Sequence, residues 1–299
     1  MKKISLMPFV AMCVLSLCSC ADDLPDRQSE SPGRIGIEEP DTSVYATITF
    51  SCQGWEMGRQ AMTRGELTAD GSSMTDLWLL DYMGDDLQQT IHQEKNDEDF
   101  GTPTVSLAPG SHHLYFIVSR GSTPTLSTAT HSVTWEKPSD TFYKDLALTV
   151  TASANDNRNV TLERCVTKLK IAVTDAIIDN VAKIYVTPAT WYNGLDYISG
   201  LPCDARTNEP RPVNIPESYK GRSDLTLSIF GFSAADEWTT NVTVTAVDSN
   251  EATISTVSLT DAPLVVNRET TYSGWLFTNS GRTTLTLSTD WLTEYTATW

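Results

Sequence analysis

Four histidines, six cysteines and 38 acidic residues are the groups from which this 299-residue sequence could build chemistry. The histidines are His92, His112, His113 and His131. His112 and His113 stand side by side at the start of a predicted strand, where neighbours point to opposite faces, so one metal cannot easily use both. Cys52, Cys165 and Cys203 lie in the body of the chain at spacings that match no zinc motif. Their odd number allows at most one disulfide within the chain and leaves its pairing open; they read as small buried hydrophobes. Asp81, Asp85 and Asp86 surround Gly84 but lack the spaced oxygens and closing Glu of a calcium loop, and so read as a turn. Nothing marks one carboxylate pair for glycoside hydrolysis. No phosphate-cradling glycine loop or nucleophile elbow occurs. The sequence therefore predicts no catalytic residue, no metal site, no cofactor and no enzyme. Tyr82, Trp191, Tyr192 and Tyr197 could line a sugar platform, although core and loop packing use the same residue types.

A different chemistry is legible at the N-terminus. Lys2 and Lys3 precede an apolar run from Ile4 to Leu17, too short for a good membrane span. The run ends in Leu17-Cys18-Ser19-Cys20, which resembles the lipobox of bacterial lipoproteins. Cys20 fits because the small Ser19 precedes it; Cys18 fits poorly behind Leu17. Residues 1–19 then read as a signal peptide, and Cys20 becomes the acylated first residue. Several acyl chains on one cysteine anchor stably where a single chain does not. A plain secretory signal is the alternative. Asp22-Asp23 resembles the acidic signal that sends Bacteroidetes lipoproteins to the outer face of the outer membrane. Residues 20–42, rich in Asp, Glu, Ser and Pro, read as a disordered linker. With such a leader, the sequons at Asn159 and Asn241 read as chance. A net charge of −17 argues against nucleic acid as a partner, whose phosphates need a basic surface, and against charge-driven binding to anionic membranes.

The first strand organises the remainder. Val44, Ala46, Ile48, Phe50 and Cys52 alternate with Tyr45, Thr47, Thr49 and Ser51, a period of two that puts one face on a core. The pattern breaks at Gln53-Gly54. An aperiodic stretch with Arg59 and Arg64 follows, which a trypsin-like protease could cut, freeing the strand. An ordinary strand and loop have the same signature. Further strands are predicted over 74–82, with a hairpin return over 87–92, then over 113–118 and 142–150. The run 159–173 changes parity midway, which indicates a bulge or a passage between sheets. Residues 177–181 read as a short helical turn and 191–216 as loop. More strands follow near 181–186, 225–231, 242–246, 254–259, 271–277 and 284–287. Short strands between turn signals predict an all-β chain, with an N-terminal β-sandwich over 43–157 and a C-terminal one over 158–299. The last run, Thr283 to Trp299, carries Leu285, Leu287, Trp291, Tyr295, Ala297 and Trp299. It reads either as a closing edge strand or as a strand offered to a neighbouring subunit.

Several segments in order carry a family resemblance: Met62-Thr63-Arg64, Asp76 to Tyr82, Asp99-Phe100-Gly101-Thr102, Pro109-Gly110, Asp140 to Tyr143, Val160 to Leu169, Asp261 to Leu264, Asn267-Arg268, and Tyr272 to Phe277. Together they resemble the FimB-type fimbrial subunits of the Bacteroidetes fimbrillin superfamily. The resemblance implies two transthyretin-like β-sandwich domains in tandem, export as an outer-membrane lipoprotein, and a surface fimbria assembled by strand exchange with other fimbrial subunits. It implies cleavage after Arg64, with Arg59 second, in polymerising members. Val44 to Cys52 is then the displaceable strand and Thr283 to Trp299 the donor. An anchoring or accessory role in cell adhesion is expected, toward a host or bacterial surface receptor. A tip or stalk subunit processed after Arg64 is the first alternative, and a surface glycan-binding lipoprotein that never polymerises the second.

Overall fold

The computed structural model describes residues 45–54, 74–151, 156–233, 237–278, 283–290 and 293–297. Cys20, Val44, Arg59, Arg64, Trp291 and Trp299, with the expected signal and linker, lie outside the described residues.

Threonine-rich, β-branched runs between turn residues favour extended chain, and the fold is all-β. In chain order the first strands are β1 (Ala46–Gln53), β2 (Asp76–Met83), β3 (Asp86–Glu94), β4 (Thr104–Leu107), β5 (Gly110–Ser119), β6 (Thr125–Ser127), β7 (Ser132–Thr134) and β8 (Thr141–Val150). Then come β9 (Asp156–Thr161), β10 (Glu163–Arg164), β11 (Val166–Val173), β12 (Lys183–Pro188), β13 (Thr190–Asp196), β14 (Pro202–Thr207) and β15 (Arg211–Asn214). The series closes with β16 (Leu225–Phe232), β17 (Glu237–Val247), β18 (Thr253–Val265), β19 (Glu269–Gly274), β20 (Thr283–Asp290) and β21 (Thr293–Ala297).

A first core lies between a sheet ordered β4-β1-β9 and a sheet ordered β10-β8-β5-β2-β3. A second core lies between a sheet ordered β21-β20-β19-β11-β16-β13-β7-β6 and one ordered β15-β12-β17-β18. A third cluster joins Leu80, Tyr82, Tyr115 and Ile117 of β2 and β5 to Trp135, Val166, Leu195, Tyr197 and Phe232. β2 is thus covered on both faces, Leu77 and Leu79 in the first core and Leu80 and Tyr82 in the third cluster. Burial on both faces explains the apolar run Leu77-Trp78-Leu79-Leu80 at its centre.

The parity change within 159–173 is a passage between sheets. β9 pairs with β1, β10 with β8, and β11 with β16 and β19. Val160 and Leu162 enter the first core, Val166 the third cluster, and Leu169, Ile171 and Val173 the second. The expected boundary after residue 157 falls inside β9.

Two local expectations change. Residues 191–216 hold β13, β14 and β15 rather than loop, because β13 finds partners in β14, β16 and β7. Residues 177–181 hold a two-residue turn at 179–180 and no helix. Among the described residues the one helical element is a 3-10 turn at Glu217–Tyr219, and no helix is long and apolar enough to cross a membrane.

Candidate functional site: the first strand and the C-terminal hairpin

β1 is held along both edges. It runs antiparallel to β4, with Ala46 opposite Leu107 and Ile48 opposite Val105, and parallel to β9, with Ile48 opposite Asp156 and Cys52 opposite Val160. The amides of Phe50 and Cys52 donate to the carbonyls of Pro103 and Gly101, both at 2.9 Å, and Leu162 N–H donates to the Gln53 carbonyl at 2.8 Å. Ala46, Ile48, Phe50 and Cys52 are all buried, while Tyr45 is 54% exposed. Phe50 meets the Phe116 ring edge-on, centroids 5.2 Å apart. A fully buried aliphatic or aromatic side chain stabilises by about 1.5–3 kcal/mol, so Ile48 and Phe50 make β1 a substantial part of the first core. The strand ends at Gly54, φ +111°, where a Cβ would collide with the Leu162 carbonyl. Only glycine combines that backbone with so close an approach.

At the other end of the chain, β19 runs parallel to β11 and antiparallel to β20. β20 pairs in turn with β21, the outermost strand of its sheet. In register, Leu285 stands opposite Tyr272 and Ala297, and Leu287 opposite Thr270 and Tyr295. The expected donor residues of the described segment therefore form one β-hairpin at a sheet edge.

The remaining candidate groups serve the fold. His112 is buried, with Nδ1 2.7 Å from Asp81 Oδ1 and Nε2 2.8 Å from the Ala108 carbonyl. His113, on the opposite face, lies 2.8 Å from the Tyr115 hydroxyl and 3.6 Å from Asp145. His92 pairs with Asp76 at 3.0 Å and stacks flat on Trp78, centroids 3.9 Å apart. No group of three or more metal-ligating residues gathers among the described residues. Cys52, Cys165 and Cys203 are free thiols. Burial pushes the Cys52 thiol up to about 12 and the Cys203 thiol up to about 11, with Asp196 and Asp204 adding to the latter. Such thiols are poor nucleophiles at neutral pH.

The aromatic residues form no platform. Tyr82, Trp191 and Tyr197 are buried, because the Tyr82 and Tyr197 hydroxyls bond each other at 2.8 Å and Trp191 Nε1 donates to the Phe230 carbonyl at 2.8 Å. Tyr192 is half-buried against the edge of Trp238. What sequence reasoning missed is Asp175, whose carboxylate gathers a run of backbone amides before β20; a lone aspartate after a strand carries no local signal for this.

No curated protein matches the sequence. Among solved structures, the chain is similar to a candidate adhesin from Bacteroides ovatus, at 10% identity over 72% of this chain and 82% of that one, TM-score 0.49. It is also similar to the tip fimbrial protein Mfa3 of Porphyromonas gingivalis with C-terminal truncation, at 11% identity over 82% and 98% of the two chains, TM-score 0.43. A fimbrial assembly protein from Parabacteroides distasonis aligns at 7% identity over 85% and 100%, TM-score 0.44. Residues 122–299 match the model of a family of unknown function, DUF6562. Since that match spans more than half of the sequence, the chain belongs to the DUF6562 family.

Proposed function

We propose that this protein is a non-enzymatic structural subunit of a cell-surface fimbria, built in by strand exchange and serving an anchoring or accessory role in adhesion. The observation that carries the reading is the setting of β1, a single strand paired on both edges whose apolar face fills the first core. Without it, β4 and β9 would each present a row of unpaired backbone groups beside an apolar groove. That is the surface an incoming strand satisfies, with main-chain bonds for affinity and side-chain pockets for specificity. The hairpin of β20 and β21, at a sheet edge, supplies a donor of the same kind to a neighbouring subunit. The resemblance to FimB-type subunits supports the same assignment. Lipid on Cys20 holds the subunit at the outer membrane, and its partners are other fimbrial subunits. A tip or stalk subunit cut after Arg64, or after Arg59, uses the same two strands, but β1 is then removed before assembly.

The N-terminus of the protein on intact cells, read by mass spectrometry, separates these roles. An acylated Cys20 followed by an intact β1 identifies the anchoring or accessory form when the protein is found in high-mass assemblies, and a free surface lipoprotein when it is not. A start at Gly65 identifies the processed one. A non-acylated start at Ala21 or beyond, with β1 retained and no high-mass assemblies, rules out both.

A further inference from the structure

The segment between β19 and β20 is fastened from two sides. Asp175, two residues beyond the end of β11, directs its carboxylate at three successive backbone amides. Leu276 N–H donates to Oδ1 at 2.9 Å, and Phe277 and Thr278 N–H donate to Oδ2 at 2.6 and 2.8 Å. The Thr278 hydroxyl donates to the same oxygen at 3.2 Å. From the facing sheet, the Ser255 hydroxyl of β18 donates to the Leu276 carbonyl. The Leu276 side chain is 3% exposed in the second core, and Thr174 N–H donates to the Gly274 carbonyl at 2.9 Å. The chain is therefore tied to both sheets of the second core up to Thr278. β20 joins the sheet through its ladder with β19, from Thr270 opposite Leu287 to Gly274 opposite Thr283, and β21 pairs with β20 at the outer edge.

We propose that Asp175 is the fixed root of a separable C-terminal hairpin, so that β20 and β21 can leave the sheet while β19 and the second core stay closed. An edge strand that peels away usually carries its neighbour's protection with it, because fraying spreads along the ladder. A carboxylate that accepts three consecutive amides stops the spread at a defined residue, since opening the segment would strip a buried anion of all its donors at once. Asparagine cannot take over this role. It offers one acceptor oxygen and turns an N–H group toward amides that are themselves donors. The inference deepens the strand-donation reading above and rests on it only for the use made of the hairpin.

Hydrogen exchange of the full mature chain at neutral pH tests the proposal. The expected result is that amides of 283–297 exchange at least about tenfold faster than those of 270–274, with 276–278 on the protected side of the boundary. In Asp175→Asn, protection of 270–278 should fall to the level of the hairpin, while β2 and β5 amides keep theirs. A single common exchange rate for β19 and the hairpin in the unmodified protein overturns the proposal, whether or not the variant folds. So does a boundary that stays in place in Asp175→Asn. If that variant does not fold, Ser255→Ala takes its place and should move the boundary in the same direction by a smaller factor; no movement overturns the proposal. Fimbriae that form without such a boundary remove the root and leave strand donation standing. A clear boundary in a protein that never assembles does the reverse.

Discussion

Arg164 grips Asp140 with two prongs inside the protein, Nε 2.6 Å from one carboxylate oxygen and Nη2 3.1 Å from the other. Its remaining nitrogen donates to Asn267 Oδ1 at 3.0 Å, and the guanidinium carbon lies 4.7 Å over the Phe142 ring. Arg120 approaches the same carboxylate at 3.6 Å. One side chain on β10 thus holds the start of β8 and the turn before β19. Breaking a buried pair strands the surviving charge, so Arg164→Met should lower stability by about 3–5 kcal/mol. Asn267→Ala, which removes one hydrogen bond to a charged group, should cost about 1.5–3 kcal/mol. Urea unfolding monitored by tryptophan fluorescence checks both, and a wild-type midpoint for Arg164→Met would show that the pair contributes nothing.

Phe50 is fully buried against Phe116. Truncating an aromatic core residue costs about 3–5 kcal/mol through lost transfer energy and the cavity left behind. Phe50→Ala should therefore lower the melting temperature sharply. Thr49→Ala, which loses only an exposed hydroxyl pair with Thr104, should change it little. Equal melting temperatures for the two variants would mean that β1 is peripheral to the first core.

Gly231 lies beneath the Trp191 indole, and a methyl group there would collide with Nε1 and Cε2 of the ring. The same Nε1 bonds the neighbouring Phe230 carbonyl, so the ring cannot slide away without losing that partner. Overpacking of this kind costs about 1–3 kcal/mol. Gly231→Ala should destabilise by that amount and shift the tryptophan emission; an unchanged spectrum and melting point would contradict the contact.

Burial raises the Asp175 carboxyl, but its four hydrogen bonds to Leu276, Phe277 and Thr278 outweigh burial and hold it below the usual carboxylate range. With the folded value below the unfolded one, the unfolded chain binds the proton more tightly. The resulting stability is fully present above the unfolded value of about 3.9 and disappears as pH falls through the folded value. Asp175→Asn should therefore melt well below the unmodified protein at pH 7, and the gap should narrow at pH 3. An equal gap at the two pH values would mean that the carboxylate's charge is not what the amides need.

The strands whose period is local were legible in the sequence. Ala46, Ile48, Phe50 and Cys52 alternate with polar residues in the sequence and are buried in the fold, because a pleated strand fixes which residues share a face regardless of its partner. The hairpin return after Gly84 was legible for the same reason, and β2 pairs with β3 as its turn signals indicate. The parity change within 159–173 announced a structural event, but only the tertiary structure decided that it is a passage through three sheets. β6, β7 and the strands between Thr190 and Asn214 were not legible. Glycine, proline and asparagine erase the local period there, and those strands exist because distant chain pairs with them: Gly194 stands opposite Thr134, and Pro212 opposite Tyr185 on the edge strand β15. An edge strand tolerates proline, whose missing N–H need not serve the ladder. Arg164 and Asp175 were likewise unreadable as a grip and a clamp. A charge is kept in an interior only by partners that fold around it: Arg164 is held by Asp140, 24 residues earlier, and by Asn267, 103 residues later, and Asp175 by Leu276 to Thr278, about a hundred residues further along the chain. Local periodicity thus determined which runs are strands and which face is apolar; long-range pairing decided which sheets they join and which charges the interior can hold.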